Sequence, residues 1–168
     1  MIIGDVSKFA VEFEVATEPH GDWLLGGCCY WIYGQEVGDP RLLVSLRDFL
    51  HTLEELSRFA GFHYDSTLSA LEKDQLGDLL TRGLFGRGGP DPSIQRQAID
   101  EQWLRFVAIP EVASFDNWFI FLVSTGACDR CLVRRLDQQG FGEFQLSVGL
   151  FDCTIANAIR ELSAKSVL

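Results

Sequence analysis

The sequence predicts an α+β fold: a single domain with a mainly antiparallel sheet of about five to six strands and helices packed on one face. Three observations predict it. Trp118-Phe119-Ile120-Phe121-Leu122-Val123 is an unbroken apolar run, and Cys131 to Leu136 returns from it across Gly126 and Asp129. Lys8 to Thr17 and Trp23 to Tyr33 alternate between two faces, as strands do. Leu46 to Ala60 and Phe151 to Leu162 carry apolar residues at helical spacing.

The apolar run is too short for a globular helix, rich in aromatic and β-branched residues, and bounded by turn residues. A strand buried on both faces fits it, because a strand with one wet face alternates apolar and polar side chains. The expectation is a hairpin in the middle of one sheet. In the first strand Phe9, Val11, Phe13 and Val15 point one way, and Ala10, Glu12, Glu14 and Ala16 the other. Glu18-Pro19-His20-Gly21-Asp22 is a turn cluster. The second strand follows, with Cys28, Tyr30 and Ile32 opposed to Cys29, Trp31 and Tyr33. The two strands form an antiparallel hairpin, and Gly26-Gly27 marks a bulge or a close backbone approach.

After Asp39-Pro40 comes a helix whose apolar stripe is Leu46, Phe49, Leu50, Leu53, Leu56 and Ala60. Ser45 with Asp48 resembles a capping box, and Gly61 is placed to end the helix in a left-handed conformation. Thr67 or Ser69 caps a second helix through Leu71, Leu76, Leu79 and Leu80, although Gly77 weakens it. Residues 83–92, containing Gly86-Arg87-Gly88-Gly89-Pro90, read as a flexible Gly/Pro-rich loop. A short helix from Ile94 to Glu101, a strand from Trp103 to Ile109 and a last strand from Glu143 to Val148 complete the pattern. The C-terminal helix carries Phe151, Ile155, Ala158, Ile159 and Leu162 on one stripe.

The 168 residues form one domain, long enough to bury roughly two-thirds of the unfolded surface. A net charge of -10 argues against a nucleic-acid partner and suits a basic protein partner drawn in by long-range attraction. Met1-Ile2-Ile3-Gly4-Asp5 is not a signal peptide, and no apolar run approaches the ~20 residues of a membrane helix. Five cysteines, an odd number, without a secretion signal point to reduced thiols in the cytoplasm.

Gly4-Asp5, then Phe9-Ala10 with Phe13-Glu14-Val15, then an aromatic strand with Trp31-Ile32 and Gly34, resemble the start of immunity protein 42 family members. These are antidotes encoded beside secreted bacterial toxins, in contact-dependent inhibition and other polymorphic toxin systems. The run Trp118 to Val123, followed by Gly126 and Arg130, resembles that family's central hairpin, and Gly149-Leu150-Phe151-Asp152 leading into a helix also fits. The middle, Leu68 to Arg105, carries no feature of the family. The resemblance implies a non-enzymatic protein that binds and blocks one cognate toxin, and it carries over no catalytic residue.

Chemical constellations are sparse. Cys128-Asp129-Arg130-Cys131 is a C-x-x-C without the second pair a zinc site needs, and it sits on a hairpin turn rather than at a helix N-terminus. His20, His51 and His63 leave a small Cys–His hydrolase open as an alternative, although no catalytic signature surrounds a cysteine. An acidic adaptor unrelated to toxins is a third reading. The expectation is no catalytic residue, no cofactor and no metal. Acidic residues beside aromatics on solvated faces are the candidates for toxin contact: Glu12, Glu14 and Asp22 with Trp23 and Trp31, and Glu54 and Glu55 on the first helix. The charge points to a basic toxin domain such as a nuclease, whose phosphate-binding cleft an acidic inhibitor can occupy.

Overall fold

β1 (Ile2–Asp5), β2 (Phe9–Val15), β3 (Leu25–Ile32) and β4 (Gln35–Val37) lie side by side in that order, all antiparallel. β5 (Val44–Ser45) pairs with the beginning of β3. The computed structural model describes residues 1–17, 23–85 and 101–166. Phe9, Val11 and Phe13 on β2 and Cys28, Tyr30 and Ile32 on β3 share one face, and all are buried. The predicted alternation therefore holds, except that Val15 at the strand end is exposed. Three short strands, β1, β4 and β5, lie outside the sequence reading. β1 is joined to β2 through a turn in which Asp5 Oδ1 accepts from Ser7 N and Oγ. β4 is reached by the two-residue turn Tyr33-Gly34, both at positive φ, which is the geometry of a tight hairpin.

The helices α1 (Leu46–Ser57) and α5 (Leu150–Ser166) cover the apolar face of this sheet. Ser45 caps α1, its hydroxyl accepting from Asp48 N at 3.2 Å. The helix stops at Ser57, earlier than expected; turns follow, and Gly61 takes the left-handed conformation at φ 79°. Leu46, Phe49 and Leu53 of α1 and Phe151, Ile155, Ala158 and Leu162 of α5 form one cluster with the sheet's apolar side chains. Gly26 and Gly27 form no bulge, because Val15↔Gly26 and Glu14↔Gly27 continue the ladder. They are sites of close approach: a Cβ on Gly27 would collide with the Pro40 carbonyl, and one on Gly26 with the Glu14 carbonyl.

The strands divide into two sheets rather than one. β6 (Trp118–Ser124), β7 (Asp129–Arg135) and β8 (Gly142–Leu146) form a separate three-stranded antiparallel sheet, so the central hairpin is not in the middle of a single sheet. The reason lies in the alternation of β6 and β7. Ile120, Leu122, Cys131 and Val133 enter the core under α1 and α5. Phe121, Val123 and Leu132 enter a second core with Leu68, Leu76, Leu80, Leu84, Phe106 and Phe141. β6 is a partition with a core on each side, which is why its sequence runs apolar without a break.

The second core is capped by α2 (Ser66–Ser69), α3 (Lys73–Phe85) and the single turn α4 (Glu101–Leu104). The expected second helix is thus two helices, and its cap is Asp65, whose carboxylate accepts from the Thr67 and Leu68 amides, rather than Thr67 or Ser69. The break has a partner: Arg130 Nη1 donates to the carbonyls of Ser69 and Leu71 at 2.9 and 2.8 Å. Gly77 sits where a Cβ would strike the Phe141 ring, so the residue that weakens the helix locally admits the core aromatic. Trp103 belongs to α4, not to a strand. Only Phe106 to Ala108 runs along β6, with Leu122 N donating to Phe106 O and Ala108 N to Ile120 O. Gly83, expected to open a loop, is still helical, and residues 86–92, like 94–100 of the expected short helix, lie outside the described residues.

One buried polar joint ties the parts together. His63 is 4% exposed, its Nδ1 2.6 Å from the Arg105 carbonyl oxygen and its Nε2 2.9 Å from Asp152 Oδ1. Both partners can only accept, so both ring nitrogens donate and the ring is an imidazolium. Burial opposes that charge. The hydrogen bond and charge of Asp152, the Arg105 carbonyl and the nearby Asp129 outweigh it, and the pKa is raised above the usual 6.5. The unfolded chain therefore loses this proton first. The contribution of His63 to stability is complete below about pH 6.5 and fades as pH rises through the folded pKa. The melting-temperature gap between the wild type and His63→Gln should narrow steadily above neutrality; a gap that widens with pH would show a neutral ring.

Candidate functional site

The far face of the five-stranded sheet carries the acidic and aromatic residues that the alternation sends away from the core. Cross-strand register arranges them in rows. Ile2, Glu12 and Cys29 form one row, Ala10, Trp31 and Glu36 the next, and Glu14 lies opposite Gly27. Trp31 Nε1 donates to Glu12 Oε2 at 2.6 Å, a charge-assisted bond that fixes the indole across the sheet. Cys29 Sγ also approaches Glu12 Oε2, at 3.8 Å. Ala10 and Cys29 are fully buried, Trp31 and Glu12 are half-buried, and Ile2, Glu14 and Glu36 are exposed. Beside Glu14 a groove of about 350 Å³ opens between the end of β2 and the Pro40–Leu43 loop, lined also by Val15, Thr17 and Gly27.

Burial disfavours the thiolate form of the buried cysteines here and on β7. Burial, and then the charges of Glu12 and Glu36, hold the Cys29 thiol far above the usual range. Burial pushes Cys28 up to about 11 and Cys131 up to about 12. A protonated thiol reacts poorly. His63 is committed to Arg105 and Asp152, and His51 to the solvent side of α1 beside Glu55. Among the described residues no group of three or more His, Cys, Asp or Glu side chains is placed to hold a metal ion. No helix among them is long and apolar enough to cross a membrane.

The family model of immunity protein 42 matches residues 1–161. The chain belongs to the immunity protein 42 family. The match runs through the stretch from Leu68 to Arg105, where the sequence alone offered no family feature. A fold likeness agrees with it: a crystal structure of CdiI from Burkholderia dolosa AUO158 superimposes with a TM-score of 0.77 at 18% identity, covering 96% of this chain and 99% of that one. No curated protein sequence matches the chain.

For a member of this family the partner surface is the functional site, and the structure sorts the candidates for it. Glu12, Glu14 and Trp31 come together on the outer sheet face. Trp23 stands 67% exposed just ahead of β3, while Asp22 lies outside the described residues. Glu54 and Glu55 do not join them, because α1 packs on the opposite face of the sheet. Glu55 there pairs with Arg58 at 2.8 Å. Glu36 and the groove beside Pro40 escaped the sequence reading, since a three-residue strand has too little alternation to register. The Tyr33-Gly34 pair was the available signal for it.

Proposed function

We propose that this chain is the antidote of a contact-dependent inhibition system. It binds its cognate toxin domain in the cytoplasm and neutralises it by occupation rather than chemistry. The observation that carries the reading is a sheet face turned away from the main core, aromatic and acidic together, with Glu14 and Glu36 exposed on it, on a protein of net charge -10. Family membership and the likeness to a CdiI fold support it. A sheet face with a pinned tryptophan and free carboxylates has the composition of a protein-binding surface. The same charge favours a basic toxin domain, and a nuclease with a phosphate-binding cleft is the toxin class that fits it best.

Occupation sets the stoichiometry. One antidote molecule should silence one toxin molecule, and attraction of unlike charges should make association slower as salt is added, because screening shortens the Debye length to about 8 Å at physiological ionic strength. The test is titration of purified antidote against the toxin domain encoded beside it, at low and high salt. Complete neutralisation at sub-stoichiometric amounts would refute occupation. A salt-independent on-rate would remove the electrostatic part alone.

A further inference from the structure

Resting on the reading just given, we infer that the outer face receives a lysine- or arginine-bearing surface of the toxin with Trp31 as its anchor, and that Glu12 is a positioning residue for Trp31 rather than a contact. Among the described residues the three carboxylates of this face are not equivalent. Glu12 has an oxygen committed to the indole N–H at 2.6 Å and to the Cys29 thiol at 3.8 Å. Glu36, directly across the ladder from Trp31, and Glu14, at the mouth of the groove, are exposed. Held by Glu12, the partly exposed indole has Glu36 directly across the ladder, and Glu14 lies two cross-strand rows further along the same face, beyond Glu12 and Cys29. A guanidinium or ammonium group stacked on an indole gains from the ring quadrupole, and flanking carboxylates add to that attraction. The neighbouring groove is of mixed character, with Val15, Pro40 and Leu43 supplying its apolar part and Glu14 and Thr17 polar groups. That combination suits the aliphatic stem and charged head of a long basic side chain. Charge complementarity selects the occupant: an acidic partner would bring carboxylates against Glu14 and Glu36, and a purely apolar one would strip water from them without compensation.

The two roles separate by substitution. Gln at position 12 keeps an oxygen to accept from Trp31 but loses the charge, whereas Ala frees the ring. The probe is the toxin domain encoded beside this chain, with affinity and on-rate measured for each variant and melting temperature as the check on folding. Glu12→Gln should bind within a few-fold of the wild type, while Glu12→Ala and Trp31→Phe should each lose about tenfold or more. Glu14→Lys with Glu36→Lys, both at exposed positions, should lower the on-rate strongly. Glu54→Lys on the other side of the molecule should leave affinity unchanged. If Glu12→Ala unfolds, Trp31→Phe and the exposed pair still decide the matter. Stoichiometric binding that all these variants retain would overturn this surface while leaving the antidote function standing. A wild-type protein that does not bind the toxin domain at all would overturn both. A Glu12→Gln variant as weak as Glu12→Ala, in a folded protein, would make Glu12 a direct contact and overturn its positioning role.

Discussion

Phe121→Ala is expected to cost ~3–5 kcal/mol of stability, because it removes a buried aromatic ring and leaves a cavity. Phe121 is fully buried in the second core, stacked on Phe119 at 6.3 Å and tilted against Phe141 at 5.9 Å. Its backbone bridges to Val107, so the side chain also backs the segment that closes the far side of β6. The cavity would open between the three-stranded sheet and α3, and the sheet, fixed by its own ladders, cannot easily close over it. Since domains of this size are stable by about 5–15 kcal/mol, protection against the toxin should fail through loss of folded protein. Chemical denaturation and cellular abundance measure this directly. A soluble variant with an unchanged melting temperature would place Phe121 outside the core.

Arg130→Ala should be nearly as damaging, at ~3 kcal/mol, the range for breaking a largely buried ion pair from one side. Arg130 is 8% exposed; its Nε and Nη2 donate to the two oxygens of Glu143 at 2.7 and 3.1 Å, while Nη1 takes the Ser69 and Leu71 carbonyls. Removing it leaves a carboxylate and two carbonyls without their donors, and it unties the α2–α3 break from the second sheet. Arg130→Lys should rescue little, because a single ammonium cannot reproduce the planar fork that serves both sides. Arg130→Met combined with Glu143→Leu should cost less than Arg130→Ala alone, since no charge is then left unpaired. Denaturant midpoints of the four proteins test this. A loss of under about 0.5 kcal/mol for Arg130→Ala, the level of an ordinary surface substitution, would reduce the network to decoration.

Elements whose pattern is local were legible in the chain's residues. The alternation of Phe9, Val11 and Phe13 with Ala10, Glu12 and Glu14 states which side of β2 is apolar. The stripe from Leu46 to Leu56 states the same for α1, and the unbroken run from Trp118 to Val123 requires apolar surroundings on both sides. What fills those surroundings depends on contacts between distant parts of the chain. An apolar run looks the same whether its two sides face one sheet's covering layers or two separate cores, and here the second core is assembled from Leu68 to Phe141, residues far apart along the chain. The α2–α3 break was hidden for a related reason: the donor to its carbonyls, Arg130, stands 61 and 59 residues away, beyond any local window. The candidate surface divides in the same manner. Charge and aromatic content named Glu12, Glu14, Trp31, Glu54 and Glu55 together, but a carboxylate in a sequence has no side of the molecule. Strand register gave Glu12 to Trp31 and set Glu36 beside it, and the packing of α1 on the opposite face carried Glu54 and Glu55 away.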